Sequence, residues 1–150
     1  MTICLDTNVL GYAIDATAGR RHDTARDLVE RGLNSRKTVL ILQTLAEFYR
    51  IATSKLETSP DDARSFLVGL RAALPVYAAA EPDLDKAMEG AQRLGLSFWD
   101  ALLWATADRI GVRYLLTEDF QDGRVLGGVT FIDPFRPENE RLLAKILSPS

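Results

Sequence analysis

The residues of this chain with the most chemical promise are acids. Asp6 closes the apolar run Thr2 to Leu5, and Asp119 lies just past the apolar segment Arg113 to Thr117. Glu47 and Asp100 fall where helical patterns begin, within Thr44-Leu45-Ala46-Glu47 and Ser97-Phe98-Trp99-Asp100. Carboxylates are hard oxygen donors suited to magnesium or manganese, and ions held this way can activate water. Rival chemistries lack their residues. One cysteine, Cys4, and one histidine, His22, exclude an internal disulfide and a Cys/His zinc site. His22 follows Arg20 and Arg21 in a polar stretch with no nucleophile motif beside it, so a Ser-His-Asp hydrolase has no support. Cys4 sits in an apolar strand pattern and reads as core.

Each acid also has an explanation without function. Thr44-x-x-Glu47 and Ser97-x-x-Asp100 both fit the capping box that stabilises a helix start. Asp6 would cap a helix beginning at Thr7 or Asn8, and Asp119 would be an ordinary turn residue in Glu118-Asp119-Phe120-Gln121-Asp122-Gly123. Asp100 resists this treatment most, because its helix is apolar almost all round (Trp99, Ala101, Leu102, Leu103, Trp104, Ala105, Ile110). A carboxylate in that setting needs a partner or a metal.

Apolar periodicity supplies the elements that must position these acids. Strands are expected at Thr2 to Leu5, Thr38 to Leu42, Pro75 to Ala78, Arg113 to Thr117 and Val129 to Ile132. Helices are expected from Asn8 to Ile14, Asp23 to Arg36, Leu45 to Ser54, from Pro60 onward, Asp83 to Leu94, Phe98 to Ile110 and Glu138 to Leu147. Asp15 to His22 reads as a polar loop. Short apolar strands alternating with helices indicate an α/β fold, a parallel sheet covered on both faces. In such a fold the helix N-termini lie at the edge where the strands end. All four acids are then expected on one edge of one sheet. Two carboxylates about 4 Å apart repel by roughly 4 kcal/mol at an effective dielectric near 20, so four together imply a compensating cation.

Composition bounds the rest. With 150 residues, 47% hydrophobic and 26% charged, one compact domain spanning 1–150 is expected. The start MTICLDTNVL meets a charge at Asp6 and lacks a basic, long-apolar leader, and no uncharged run approaches the roughly 20 residues of a membrane helix. A soluble, cytoplasmic protein without membrane contact follows as the expectation. The net charge of −3 speaks against a simple basic nucleic-acid-binding module. It is compatible with a nuclease, whose clustered acids hold cations.

Four segments carry a family resemblance: Ile3-Cys4-Leu5-Asp6-Thr7-Asn8-Val9-Leu10, Gln43-Thr44-Leu45-Ala46-Glu47-Phe48, Ser97-Phe98-Trp99-Asp100-Ala101 and Leu116-Thr117-Glu118-Asp119-Phe120-Gln121-Asp122-Gly123. In this order they span nearly the whole chain, which resembles PIN-domain ribonucleases, in particular the VapC-type toxins of toxin–antitoxin modules. The resemblance implies a PIN-like three-layer fold with a five-stranded parallel sheet, and an acidic centre of Asp6, Glu47, Asp100 and Asp119. It implies Thr7, Asn8, Ser97 and Thr117 as supporting hydrogen-bonders, with Glu118 and Asp122 as alternatives for the fourth acid. It further implies cleavage of RNA, dimerisation, and inhibition by a cognate antitoxin protein. In the reaction it suggests, Mg2+ or Mn2+ held by Asp6, Asp100 and Asp119 hydrolyses an RNA phosphodiester, with Glu47 as further ligand or as base. Arg20, Arg21, Arg50 and Arg124 are candidate contacts to the RNA backbone, although each is also readable as solvated surface charge. Two rival functions remain: a non-catalytic PIN-like interaction protein, and a phosphatase using Asp6 as covalent nucleophile.

Overall fold

A computed structural model describes residues 2–149. Its centre is one sheet of short strands: β1 (Thr2–Leu5), β2 (Thr38–Ile41), β3 (Val76–Tyr77), β4 (Val112–Leu116), β5 (Val125–Leu126) and β6 (Val129–Ile132). The spatial order is β3-β2-β1-β4-β6-β5. Five strands run parallel, as expected, and β5 adds a sixth, pairing antiparallel with β6. The β5–β6 connection is Gly127-Gly128, a two-residue hairpin turn in which Gly127 takes φ +57°.

The helices are α1 (Thr7–Ile14), α2 (Arg20–Leu33), α3 (Leu42–Ser54), α4 (Pro60–Ala73), α5 (Glu81–Arg93), α6 (Phe98–Arg109) and α7 (Glu140–Ile146). Alternate strand residues feed two cores. Ile3, Leu5, Leu40, Leu116 and Ile132 pack against α1, α2, α3, α4 and α7. Cys4, Val39, Ile41, Leu115 and Phe131 pack against α5 and α6 on the opposite face. This alternation makes three layers, and it explains why β2 is buried at every position. Cys4 is fully buried, in keeping with a core role.

Two boundaries differ from the sequence reading. The stretch Asp15 to His22 is not all loop: a 3-10 turn at Ala16–Ala18 leads through Gly19 (φ +63°) into α2 at Arg20. More consequentially, α3 starts at Leu42, directly after β2. Thr44 therefore lies inside the first turn and donates its hydroxyl to the Ile41 carbonyl at 2.8 Å, so it does not cap the helix. The capping-box explanation of Glu47 fails for that reason. At α6 the expected cap is present, with Ser97 Oγ accepting the Asp100 N–H at 3.2 Å.

Candidate active site

In an open α/β sheet the ligand crevice lies beyond the strand carboxyl ends, where the strand order reverses direction. Here β1 leads outward to β2 and β3 on one side and to β4 and β6 on the other, so the reversal falls between β1 and β4. Asp6 and Thr117 are the residues immediately past those two strands. The Asp6 N–H still bonds the Leu116 carbonyl at 3.0 Å, which extends the ladder by one step and fixes the aspartate at its end.

From there a hydrogen-bond network links three of the acids. Asp6 Oδ1 accepts the Thr7 N–H at 2.7 Å, and Oδ2 accepts the Thr117 hydroxyl at 2.7 Å. Thr117 Oγ1 in turn accepts Asn8 Nδ2 at 3.3 Å and the Asp119 N–H at 3.0 Å, which uses its one donor and both acceptor positions. Asn8 Nδ2 also reaches Asp119 Oδ2 at 3.1 Å. On the other side, the Thr7 hydroxyl donates to Glu47 Oε2 at 3.2 Å, and Gln43 Nε2 donates to Glu47 Oε1 at 3.1 Å. Gln43 also donates to the Trp99 carbonyl at 2.9 Å and so ties α3 to the start of α6, beside Asp100.

The fourth acid, Asp100, lies near enough to the others to feel their charge. Asp6 is only 4% exposed, and burial pushes its carboxyl up to about 7. The bonds from Thr117 and the Thr7 N–H oppose that rise, while the charges of Asp119 and Asp100 add to it. Asp100, half-buried, is likewise raised by burial and further by Asp119 and Glu47, against the pull of its bond with Ser97. Among the described residues no lysine or arginine pairs with Asp6, Glu47, Asp100 or Asp119. The other two acids near the end of β4 are occupied. Glu118 accepts from Tyr12 at 2.5 Å and pairs with Arg21 at 3.1 Å. Asp122 accepts the Asp133 N–H at 2.8 Å and Asn139 Nδ2 at 2.9 Å. Asp119 is thus the one acid of the three still facing the cluster.

The donor set fits a divalent cation. It is all oxygen, it carries no internal countercharge, and a buried acceptor beside it, Asn8 Oδ1, has no hydrogen-bond partner. Among the described residues no three side chains already converge as a finished cage.

Two clefts flank Glu47. One, of about 240 Å³, is lined by Thr7, Asn8, Tyr12 and Asp119, and the other, of about 500 Å³, by Gln43, Ala46, Arg50 and Trp99. The candidate arginines are dispersed. Arg50 lies in the second cleft, whereas Arg21 is held by Glu118 and stacks near Tyr12 and Phe135. Arg124 donates to the Leu94 carbonyl at 3.0 Å, and Arg20 lines a separate cavity of about 550 Å³ with Arg31 and Arg136. Gln43 and Trp99 were not singled out from sequence as site residues. Their only sequence signal is spacing: Trp99 directly precedes Asp100, and Gln43 lies one helical turn before Glu47.

Four carboxylates without a basic partner thus gather at the carboxyl edge of the sheet, and residues 3–122 match the PIN domain family model. The chain belongs to the PIN domain family. Among solved structures it is similar to the Mycobacterium tuberculosis toxin VapC20, a Sarcin-Ricin loop cleaving toxin (18% identity, 79% of this chain and 92% of that one, TM-score 0.64). It is similar to a chain of a toxin–antitoxin complex from Klebsiella pneumoniae (21%, 90% and 99%, TM-score 0.64). It also resembles a chain of DNA-bound VapBC from Salmonella typhimurium (17%, 89% and 98%, TM-score 0.65). At these identities the structural likeness is one of fold. A search of curated proteins found no match.

Proposed function

We propose that this protein is a divalent-metal-dependent endoribonuclease that hydrolyses RNA phosphodiester bonds and serves as the toxin of a toxin–antitoxin module. The observation that carries the reading is Asp6: a buried carboxylate at the switch point, fixed through both oxygens and surrounded by three further acids with no cation among the described residues. Asp6, Asp100 and Asp119 would hold Mg2+ or Mn2+, with Glu47 completing the set. When bound, the ion supplies charge compensation at the scissile phosphate and makes water a stronger nucleophile.

The chain's own residues do the positioning. Thr117 orients Asp6 and, by way of Asn8 and its own Oγ1, Asp119. Thr7 and Gln43 hold one oxygen each of Glu47, and both donate to it. Glu47 is therefore equipped to take a proton from water at Oε2 or to act as a ligand. The pH–rate profile of Glu47→Gln separates the two roles. The N-terminus of α6, where Asp100 stands, offers a positive dipole end to an approaching phosphate.

A phosphatase with Asp6 as covalent nucleophile is disfavoured by the same geometry. At 4% exposure the Asp6 side chain can meet a small ion through a remaining lone pair, but it leaves no room for the in-line approach of a phosphoester. A non-catalytic binding protein would have no use for the cost of crowding four carboxylates. The direct test is cleavage of RNA by purified protein in Mg2+, lost on adding EDTA and in Asp6→Asn. Activity that survives both treatments would refute the metal-nuclease reading.

The antitoxin and the homodimer are part of the proposal and rest on the resemblance to VapC-type toxins. Leu84 and Met88, one turn apart on α5 and each nearly half exposed, offer an apolar strip for such a dimer. Sedimentation tests the dimer, and co-purification with the product of the neighbouring gene tests the antitoxin. No helix among the described residues is long and apolar enough to cross a membrane, which is compatible with the proposed cytoplasmic location.

A further inference from the structure

Beside the acids stands a tryptophan that the fold does not bury. Trp99 is 62% exposed, whereas the chain's other tryptophan, Trp104, is 6% exposed and bonds the Leu126 carbonyl through Nε1. An indole left in water forgoes the large apolar burial that usually holds this side chain in place. Its position is nonetheless well fixed. Its backbone carbonyl accepts from Gln43 at 2.9 Å, and its ring packs edge to face on Phe98 at 5.1 Å.

The indole lines the open cleft of about 500 Å³ whose opposite wall is α3, with Gln43, Ala46, Glu47 and Arg50 at successive helical spacing. Glu47 lines both this cleft and the one that holds Asn8 and Asp119, so both border the acid cluster. Arg50 is exposed, and among the described residues its guanidinium has no acidic partner. An aromatic face and an unpaired cation on either side of a carboxylate match the chemistry of unpaired nucleic acid, which offers a flat base and an anionic backbone.

We infer that the Trp99–Arg50 cleft is a nucleotide subsite: Trp99 stacks on an unpaired base of the RNA next to the scissile bond, and Arg50 contacts a backbone phosphate. This rests on the ribonuclease reading above and adds to it a demand for locally single-stranded RNA. A base already stacked within a duplex cannot slide onto the indole. Gln43 acts as a positioning residue, since one amide nitrogen bridges the Trp99 carbonyl and Glu47 and so sets the subsite against the acids.

The test uses the full chain carrying Asp6→Asn, so that RNA is bound without being cut, with a 12-nucleotide mixed-sequence single strand and the same strand annealed to its complement. The single strand is expected to quench tryptophan emission, and the duplex is not. Trp99→Ala is expected to weaken single-strand binding roughly tenfold to a hundredfold, with Trp99→Phe retaining most of the affinity. Arg50→Ala is expected to lower the salt dependence by about one phosphate contact. If Trp99→Ala binds the single strand as tightly as its parent while the unsubstituted protein still cuts RNA, the subsite is overturned and the ribonuclease reading stands. If the unsubstituted protein neither binds nor cuts RNA, both fall together. Leu42 and Tyr49 are also exposed on α3. If Trp99→Ala converts a dimer to a monomer with unchanged RNA affinity per protomer, the face belongs to a second copy and the subsite is again overturned.

Discussion

Burial of Asp6 carries a cost that the metal-free protein must bear. Its carboxyl titrates near 3.8 when free of the fold and at about 7 within it, so the folded state binds this proton more tightly. Between those two values the unfolded chain has lost the proton and the folded chain has kept it, so stability falls as pH rises from about 4 to 7. The difference is on the order of 4 kcal/mol. Asp6→Asn is expected to remove this slope and to stabilise the metal-free protein near pH 8. Asp100→Asn, whose parent carboxyl is raised in the same direction, should also raise the Tm. Thermal melts in EDTA across this pH range check both, and an unchanged slope in Asp6→Asn would show that the aspartate is not strained. Thr117→Val makes the complementary case. Without the hydroxyl, Asp6 loses its strongest opposing bond and titrates still higher, while Asn8 and the Asp119 N–H lose an acceptor. Cleavage at pH 7 should fall about 10- to 100-fold and recover in part at higher pH. A pH-independent loss would assign Thr117 a purely structural role.

At the level of elements, the strand-to-helix junctions decide where the acids point. Ser97 caps α6 and places Asp100 in its first turn, so Ser97→Ala should cost about 1 kcal/mol and reduce cleavage. A melt shifted by that amount with cleavage unchanged would separate the cap from the site. The same junctions mark what could be read from the chain alone. Asp6 and Asp119 were legible because each follows an apolar run that stops abruptly, and Asp100 because its helix is apolar on nearly every side. The start of α3 was not. Thr38 to Leu42 is one unbroken apolar run, and periodicity cannot distinguish the last strand residue from a first helical residue such as Leu42, which is half exposed. That single ambiguity produced the false capping box at Thr44 and Glu47. The strand β5 escaped notice because two residues carry no alternation, even though Gly127-Gly128 is a hairpin signal. Selection of Asp119 over Glu118 and Asp122 depended on Tyr12, Arg21 and Asn139, partners remote in sequence that only the tertiary fold brings near. Arg124, read as a backbone contact, is tied to Leu94 by the same kind of remote bond.

Across the whole molecule, the charge is distributed so that cations are spent elsewhere. Arg109 holds Asp83, Lys86 holds Asp108 and Arg21 holds Glu118, while the four acids at the switch point are left to one another. A modest net charge of −3 thus conceals a concentrated negative edge. Such an edge either weakens the fold or binds a cation, and the account requires the second. A ligand that binds only the folded state raises its stability by mass action, so Mn2+ should lift the Tm of the protein and leave that of Asp6→Asn in place. The most direct test is to titrate metal-free protein with Mn2+ at pH 8 and count the ions removed from solution by the resonance signal of free Mn2+. Saturable uptake of one or two ions per chain, lost in Asp6→Asn and weakened in Asp119→Asn, is the predicted result. Uptake that is absent, or that persists unchanged in Asp6→Asn, would contradict the assignment of this edge as a metal centre.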